Sequence, residues 1–408
     1  MPEAVIVSVA RSPIGRANKG SLTQLRPDDL AATIVATALD KIPALDRTTV
    51  DDLYLGCGLP GGESGNNMAR VVNVLNGMDT VPGATTTRYC ASSVQTTRMA
   101  FHAIKAGEGD VFVSAGVETV SRFAKGTSDH WPDTHNHAFD DAKARTSATA
   151  EGDGSTTPGW HDPREDGQVP DVYIAMGQTA ENVAKLRGLS RQELDEFAVR
   201  SQNLAEKAVD NGFWAREITP VTTPDGTVVS VDDGPRAGVT YDGIKDLKPV
   251  FRPDGVVTAG NCCALNDGAA AVVIMSDTRA AELGLEPLAR IVSTGVSGLS
   301  PEIMGLGPVE ATKNALRYAG MSIGDIDLVE INEAFAAQVV PSYQDLGIDI
   351  DRLNVNGGAI AVGHPFGMTG ARLQNTMVNS LDWHDKTTGL ITMCVGGGQG
   401  MALILERL

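Results

Sequence analysis

The order of apolar strands and amphipathic helices near the start of the chain recurs near its end. Asp52 matches Asp327 at a shift of 275 residues, and Val113 matches Thr392 at a shift of 279. Between them, Cys90 matches His364 at a shift of 274. A nearly constant shift over several elements indicates a duplicated unit. A chance recurrence of the same element order is the alternative. The pattern therefore favours a chain built from two similar halves.

Apolar periodicity places the predicted elements of both halves. In the first half we expect strands at residues 4–10, 53–56 and 110–117 and helices at 27–41 and 90–106, the second helix ending at Gly107. In the second half we expect strands at 327–331, 390–395 and 401–408 and helices at 308–318 and 369–381. Strands that alternate with helices in this way predict an α/β fold.

The segment between the halves has a different character. Residues 126–170 are rich in Gly, Asp and Thr and lack periodicity, which predicts a loop-rich excursion. Two helices are predicted after it, at 179–187 and 191–211. We expect three domains: residues 1–119 with 266–287 as a first half, 120–265 as an inserted loop domain, and 288–408 as a second half.

The charge balance limits the class of ligand. The chain has 408 residues and a formal net charge of -18, and its pI is about 4.8. This balance argues against nucleic acid as a partner, because such binding depends on Lys and Arg that neutralise phosphates. An anionic ligand stays compatible with the composition if cations are gathered locally.

Cysteine usage and the N-terminus bear on the compartment. The cysteines are odd in number and show no disulfide spacing; they are Cys57, Cys90, Cys262, Cys263 and Cys394. The first residues read as a strand rather than as a signal peptide, and no segment reaches the roughly 18 apolar residues of a membrane span. We expect a cytoplasmic protein with no membrane span. Adjacent cysteines are poor zinc ligands, so no metal is expected.

Cys90 precedes a predicted helix and is followed by small residues. A thiolate is a strong nucleophile, and the free N–H groups and dipole at a helix start lower a thiol pKa. The small neighbours would let an acyl group approach the sulfur. A buried structural cysteine is the alternative interpretation.

His364 and Cys394 lie in glycine-rich turns elsewhere in the chain. An imidazole with bare backbone around it can take a proton from a thiol and bind a developing oxyanion, although a core histidine is the alternative. Cys394 runs into residues 396–398, all glycine, whose N–H groups suit an oxyanion hole; a phosphate loop would need a Gly-Lys-Ser/Thr ending. Asn332 follows a predicted strand. It is either the cap of the next helix or a residue that points into a site at the end of the strand.

These segments together resemble the thiolase family, in particular acetyl-CoA acetyltransferases and 3-ketoacyl-CoA thiolases. The resemblance covers nearly the whole chain. The motifs that carry it are residues 10–15, 176–182, 257–261, 266–270, 307–309, 332–335, 357–372 and 394–400. The family fold consists of two similar α/β halves, each a mixed sheet layered with helices, plus an inserted loop domain that binds coenzyme A.

The resemblance implies a role for each site residue. Cys90 is the acylated nucleophile, His364 activates it, and Cys394 moves the proton on the α-carbon or the leaving thiol. Asn332 positions a water in one oxyanion hole, and the backbone N–H groups of Cys90 and Gly396 form the other. The implied activity is that of an acyltransferase: thiolytic cleavage of a 3-ketoacyl-CoA to acetyl-CoA and a shortened acyl-CoA through an acyl-cysteine, as in fatty-acid β-oxidation.

The resemblance also implies the contacts with the cosubstrate. Coenzyme A binds reversibly, and no cofactor is permanently bound. Arg236 matches the family position that packs on the adenine, and Cys263 stands where a serine commonly contacts the pantetheine. The family positions that line the tunnel for the pantetheine and acyl group correspond here to Met176, Phe251, Ala259, Met304 and Phe335. Arg236, Lys245, Lys248 and Arg252 form a local group of cations in the sequence. The implied assembly is a homodimer or homotetramer.

Several positions depart from the family pattern. The usual Asn before the nucleophile is Thr87, the usual Gly after it is Ser93, and a frequent His is Ala175. The absence of that His and the altered loop at residues 126–170 favour a different, bulkier acyl group than acetoacetyl. Two other functions remain open: biosynthetic condensation of two acetyl-CoA, and binding of coenzyme A or lipid by an inactive relative.

Overall fold

A computed structural model describes residues 2–123, 128, 134–152 and 159–408. The strands in this part of the chain are β1 Ala4–Arg11, β2 Gly15–Arg16, β3 Asp52–Cys57, β4 Gly83–Thr86, β5 Val111–Thr119, β6 Val221–Thr222, β7 Val228–Val229, β8 Asn266–Ser276, β9 Ala289–Gly298, β10 Leu328–Ile331, β11 Thr388–Val395 and β12 Gln399–Arg407. The helices are α1 Pro27–Asp40, α2 Met68–Leu75, α3 Ser92–Ala106, α4 Asp140–Glu151, α5 Met176–Arg187, α6 Arg191–Asp210, α7 Phe213–Glu217, α8 Tyr241–Ile244, α9 Asp277–Glu282, α10 Gly307–Ala319, α11 Ala336–Leu346, α12 Ala359–Val362 and α13 Phe366–Trp383.

One large sheet runs through the protein and shows the duplication directly. Its strand order is β10-β11-β12-β9-β1-β8-β5-β3-β4, and β2 pairs with β8. Read outward from the centre, each half has two antiparallel pairs followed by a parallel pair. The first half adds a second parallel pair, β3 with β4. The halves meet where β1 pairs with β9, through Val5 with Arg290 and Ile6 with Ala289. The predicted α/β fold with duplicated halves is confirmed.

Helices cover both faces of the sheet and fill the space between its halves. α1 and α2 share a hydrophobic cluster with one face of the first half. α10 and α11 share another with the outer face of the second half, to which α5 and α6 also contribute. α3 and α13 lie between the halves in a central cluster. Layered helices on a sheet bury the apolar faces of both.

The two central helices place the candidate catalytic residues at equivalent positions. Cys90 lies just before α3, which begins at Ser92, and His364 lies just before α13, which begins at Phe366. The predicted match of Cys90 with His364 therefore corresponds to the same site in both halves. Helix α3 is closed by Gly107 at φ 77°, as predicted.

Close backbone contact explains why α13 begins a turn earlier than predicted. A Cβ on Gly367 would lie 2.6 Å from the carbonyl oxygen of Gly56, and Gly370 packs directly on the backbone of Val94 in α3. Glycine in this helix allows its backbone to touch the neighbouring elements, and this contact offsets the low intrinsic helix propensity of glycine.

The loop prediction for residues 126–170 is wrong in its central part. Residues Asp140–Glu151 form α4, and Ala142 is its one buried residue. A helix with so small a buried face has no apolar stripe, so its sequence lacks the period that identifies a helix. Residues 126–127, 129–133 and 153–158 of the predicted loop lie outside the described residues.

No helix in the described ranges combines the length and apolar character needed to cross a bilayer.

Candidate active site

Cys90 lies in a tight turn at the start of α3. The turn, Tyr89–Ala91, is a short 3-10 helix in which Tyr89 has φ 44°, a left-handed value that costs energy for a side chain of this size. The Ser92 hydroxyl accepts a hydrogen bond from the Arg88 N–H at 2.9 Å and donates one to the Tyr89 carbonyl at 2.6 Å. Both α13 and β11 pack against this turn.

Burial dominates the acidity of the Cys90 thiol. The side chain is almost fully buried, and burial raises its pKa to about 12. Hydrogen bonds from the backbone N–H of Gly396 and from its own N–H act in the opposite direction. The expectation that the helix start lowers this pKa is wrong for the net effect, because desolvation exceeds the contribution of the N–H groups. Cys90 is a neutral thiol at rest and needs a base.

The hydrogen bonds of His364 determine which ring nitrogen can act as that base. The Thr369 hydroxyl donates to the carbonyl of Pro365 at 2.7 Å, so its lone pair faces Nδ1 of His364 at 2.6 Å. Nδ1 therefore carries the proton and Nε2 has the free lone pair. Burial, followed by the charge of Arg372, lowers the His364 pKa to about 3, which keeps the imidazole neutral.

Asn332 lies beside the free nitrogen of His364. Its Nδ2 is 3.3 Å from Nε2 of His364. Its Oδ1 is buried and has no protein partner. A buried amide oxygen that lacks a protein partner is suited to hold a water or a polar group of a ligand. The structure thus brings Asn332 and His364 together, as the sequence interpretation requires.

Cys394 is fully buried at the end of β11, next to the glycine loop. Burial and the neighbouring Cys90 raise the pKa of Cys394. In the loop, a Cβ on Gly396 would lie 3.4 Å from the Tyr89 ring, so the loop lies against the nucleophile turn. The structure therefore places Cys90, Cys394 and Gly396 in one region.

A cavity of about 380 Å³ opens next to this region. Arg236, Ala259 and Cys263 line it, as predicted. Gly363, the residue just before His364, also lines it. Cys263 lies close enough to Cys90 and Cys394 for both to raise its pKa, after burial itself. The cavity therefore extends towards the Cys90 and Cys394 thiols through Cys263.

The other predicted contact residues form an apolar cluster beside the cavity. Phe251 and Phe335 meet edge to face with ring centroids 6.1 Å apart. Met176 packs in the same cluster, and its sulfur lies 3.6 Å from the Cβ position of Gly396. Met304 belongs to the cluster but is 1% exposed, so it supports the wall from behind.

The cations near the cavity differ from the group suggested by the sequence. Arg16 and Lys19 line the cavity together with Arg236. Arg252 instead is buried against α5, where it donates to Gln178 and Asn182. Lys245 forms an ion pair with Asp242 at 2.6 Å. The sequence interpretation missed Arg16 and Lys19, because their distance along the chain from Arg236 hides their proximity.

The departures from the family pattern have identifiable contacts. The Thr87 hydroxyl donates to the Gly58 carbonyl at 2.9 Å. The Ser93 hydroxyl accepts the Ala371 N–H at 2.8 Å and so links α3 to α13. Ala175 is exposed just before α5, next to Met176. Thr87 and Ser93 support the nucleophile turn, and Ala175 leaves space beside the site.

Two residues that orient His364 were not singled out from the sequence. Thr369 fixes the protonated nitrogen, and Asn266 accepts the backbone N–H of His364 at 2.9 Å. Thr369 lies in the first helical turn after His364, so its closeness in sequence could have identified it as a partner of the imidazole. The contact of Asn266 depends on the placement of β8 and has no local signal. Within the described ranges, no group of three or more metal-ligating side chains is present.

Comparisons with known proteins agree with this geometry. The family model described as "Thiolase, N-terminal domain" matches residues 4–278, and "Thiolase, C-terminal domain" matches residues 285–407. The chain is 41% identical to a 3-ketoacyl-CoA thiolase of Bacillus subtilis, with 100% of both chains covered. It is 42% identical, with the same coverage, to a 3-oxoadipyl-CoA/3-oxo-5,6-dehydrosuberyl-CoA thiolase of Escherichia coli.

Solved structures lead to the same family. A Bacillus anthracis acetyl-CoA acetyltransferase superposes with a TM-score of 0.85 at 36% identity, covering 100% of this chain and 99% of that one. The dimeric peroxisomal thiolase of Saccharomyces cerevisiae superposes with a TM-score of 0.88 at 31% identity, covering 100% and 98%. Two matching domain models and relatives of full length leave one assignment: the chain belongs to the thiolase family.

Proposed function

We propose that the protein cleaves a 3-ketoacyl-CoA thiolytically, with Cys90 as the residue that carries the acyl group. The observation that supports this most is the meeting of three distant segments at one turn. Both α13, which follows His364, and β11, which ends at Cys394, pack against the Tyr89–Ala91 turn. This arrangement supplies a nucleophile, a base and a second thiol, which are the groups that acyl transfer between thioesters requires.

The first half-reaction forms the acyl-enzyme. Nε2 of His364 takes the proton from Cys90, and the sulfur attacks the 3-keto carbon of the substrate. The bond between the second and third carbons breaks, and Cys394 protonates the enolate that leaves as acetyl-CoA. The N–H groups that face the Cys90 sulfur, from Gly396 and Cys90 itself, are placed to bind an oxyanion there.

The second half-reaction returns the acyl group to coenzyme A. The thiol of coenzyme A loses its proton to Cys394 and attacks the thioester on Cys90. The bond between the acyl carbon and the Cys90 sulfur breaks, and the sulfur recovers its proton from Nε2 of His364. Asn332 and His364 form a second polar pocket, in which the unpartnered Oδ1 of Asn332 can hold a water. Two half-reactions develop negative charge on two different oxygens, which accounts for two such pockets.

The proposal assigns coenzyme A to the cavity of about 380 Å³. Arg16, Lys19 and Arg236 bring positive charge to its walls, although the chain as a whole has a net charge of -18. Phosphate groups are recognised by such local cations. Residues 120–265 then act as the loop domain that binds coenzyme A, between the halves formed by 1–119 with 266–287 and by 288–408.

For the acyl group we favour a chain larger than acetoacetyl. The B. subtilis relative is named for 3-ketoacyl-CoA, and the E. coli relative for a 3-oxoadipyl group. The exposed Ala175 beside Met176 leaves room on the side of the site where the family often has a histidine. The reverse reaction, condensation of two acetyl-CoA, is the second candidate, supported by the likeness to an acetyl-CoA acetyltransferase.

Detection of the acyl-enzyme tests the proposed function. The protein is mixed with acyl-CoA, quenched in acid and digested, and the peptide that contains Cys90 is weighed by mass spectrometry. We expect an acyl adduct on Cys90 that disappears on addition of coenzyme A. The variant Cys90→Ala is the matched control. An unmodified Cys90 peptide in the wild-type protein would show that the chain is an inactive binding relative.

A panel of 3-ketoacyl-CoA substrates tests the choice of acyl group. We expect kcat/KM for chains longer than acetoacetyl-CoA to exceed that for acetoacetyl-CoA. A strong preference for acetoacetyl-CoA would instead favour the biosynthetic direction. We also propose a cytoplasmic homodimer or homotetramer, which the description of the yeast relative as dimeric supports. Light scattering measures the assembly directly.

A further inference from the structure

Glu118, at the end of β5, is a buried carboxylate that the reaction scheme above does not use. Its side chain is 1% exposed. One carboxylate oxygen accepts the N–H of Gly58 at 2.7 Å and of Gly367 at 2.8 Å. The other accepts the N–H of Leu59 at 3.3 Å and faces the Cys57 thiol at 3.6 Å. A single side chain thus binds two chain segments that are far apart in sequence.

The first of these segments supports the nucleophile turn. The carbonyl of Gly58 accepts a hydrogen bond from the Thr87 hydroxyl. The Ser92 hydroxyl, which donates mainly to the Tyr89 carbonyl at 2.6 Å, also lies 3.3 Å from the carbonyl of Cys57. Thr87 and Ser92 lie on either side of Cys90. A displacement of residues 57–59 therefore moves the turn that holds the Cys90 sulfur.

The second segment carries the base. Gly367 lies in the first turn of α13, between His364 and Thr369, the residue that fixes the tautomer of the imidazole. A Cβ on Gly58 would lie 2.7 Å from the Cβ of Phe366 and 3.4 Å from the carbonyl oxygen of Tyr89, so the two segments touch at Gly58. Glu118 binds both segments at the point where they meet.

The charge of Glu118 also reaches the nucleophile. Burial raises the Glu118 pKa to about 7, and the three backbone N–H groups oppose this rise. The titratable groups that face it are Cys57 and Cys90, and the carboxylate raises the pKa of both thiols. An ionised Glu118 therefore disfavours a free thiolate at Cys90 in the resting enzyme.

We infer that Glu118 is a positioning residue, which sets the geometry between Cys90 and His364 by holding residues 57–59 and the start of α13 on one carboxylate. The inference rests on the proposed function, since it assigns a part in the same acyl transfer. Glu118 touches no reacting atom. Its effect on the rate arises because small misplacements of a nucleophile and its base slow a reaction strongly.

Two variants separate the reach of the side chain from its charge. Glu118→Gln keeps the length but replaces one acceptor oxygen with a donor, which opposes a backbone N–H. Glu118→Asp keeps the charge but is one methylene shorter, so it cannot reach both segments. The rate of acyl-Cys90 formation from acyl-CoA in a single turnover is measured for each, together with alkylation of Cys90 by iodoacetamide at pH 8, followed on the Cys90 peptide.

We expect acylation to fall on the order of 10- to 100-fold in both variants. Alkylation of Cys90 should become severalfold faster in Glu118→Gln, because the thiol is more acidic without the neighbouring charge, and should not become faster in Glu118→Asp. Unfolding would also expose Cys90 and speed its alkylation while it lowers acylation, so both rates are compared only in samples that circular dichroism shows to be fully folded. Glu302→Gln is the matched control, because Glu302 is a buried carboxylate that holds Arg145, Trp160 and the Asp171 N–H.

We expect the control to change stability without a change in Cys90 alkylation. Variants of Glu118 that acylate at the wild-type rate per folded molecule would overturn the inference and leave the proposed function intact. A wild-type protein that forms no acyl-Cys90 would overturn the proposed function itself. The two failures are therefore distinguishable in the same experiment.

Discussion

At the scale of single residues, the chemistry of the site depends on one hydroxyl. The Thr369 hydroxyl donates its hydrogen to the Pro365 carbonyl, so only a lone pair of its oxygen faces Nδ1 of His364. The neutral imidazole then keeps a lone pair on Nε2, which accepts a hydrogen bond from Nδ2 of Asn332 at 3.3 Å and, in the proposed function, takes the proton of Cys90. Because the Cys90 thiol has a pKa raised to about 12, the reaction needs this base.

Replacement of Thr369 by valine tests the tautomer assignment. Valine keeps the shape but removes the acceptor of the Nδ1 proton, so the imidazole can rotate or adopt the other tautomer. We expect kcat to fall about 10- to 100-fold with little change in KM. Thr312→Val is the control, because the Thr312 hydroxyl is buried without a partner. A wild-type kcat in Thr369→Val would contradict the assignment.

The buried His364 also makes stability depend on pH. Its folded pKa is lowered to about 3, so the unfolded chain takes up a proton below about pH 6.5 while the folded chain does not. Falling pH therefore favours the unfolded state. The stability difference between wild type and His364→Asn should decrease by about 1.4 kcal/mol per pH unit below 6.5. Urea unfolding at pH 7, 6 and 5 measures it, and a constant difference would refute the argument.

At the scale of elements, the sequence predicted the regular parts well. The apolar pattern correctly predicted strands β1, β5 and β11, and a run of good helix formers correctly predicted helix α6. Helix α4 was missed because its buried face is a single alanine. The early start of α13 was missed because glycines that read as a loop serve instead as contact points. Local sequence does not reveal which backbone will approach a glycine.

The contact between α13 and the sheet leads to a prediction for Gly367. A Cβ there would lie 2.6 Å from the Gly56 carbonyl oxygen, and backbone cannot move aside as a side chain can. We expect Gly367→Ala to lower the free energy of unfolding by about 3 kcal/mol or more. Gly298→Ala, where a Cβ meets nothing within 4 Å, should change it by less than about 0.5 kcal/mol. Equal effects in chemical denaturation would contradict the packing argument.

At the scale of the whole molecule, buried charge joins the segment around α7 to strand β1 of the sheet. Arg11 of β1 is fully buried and pairs with Glu217 of α7 at 2.5 Å and with Asp232 at 2.8 Å. Removal of one partner leaves buried carboxylates without a cation. We expect Arg11→Met to destabilise the fold by about 3–5 kcal/mol.

A double-mutant cycle with Glu217→Gln checks this network. The double variant should lose less stability than the sum of the single variants, because the neutral glutamine no longer needs the arginine. Urea unfolding of the four proteins gives the coupling energy. Additive losses would show that the two residues act independently.

At this scale, the sequence did not predict the contacts between residues that lie far apart along the chain. The repeat predicted that Cys90 and His364 are equivalent, and the family motifs selected Cys394 and Asn332 as their partners. Contacts such as Glu118 with Gly367, or Arg16 with Arg236, join residues from different elements. They follow from the order of strands in the sheet, which a periodic pattern does not contain.

The position of β8 has a consequence for how the protein is made. Residues Asn266–Ser276 form the strand between β1 and β5, so the first half of the sheet has a gap until this strand arrives. On the ribosome, the segment around Cys90 emerges long before the strand that completes its own sheet. The strands around Cys90 therefore wait for β8 through synthesis of residues 120–265, and during this period their unpaired edges are open to pairing with other chains.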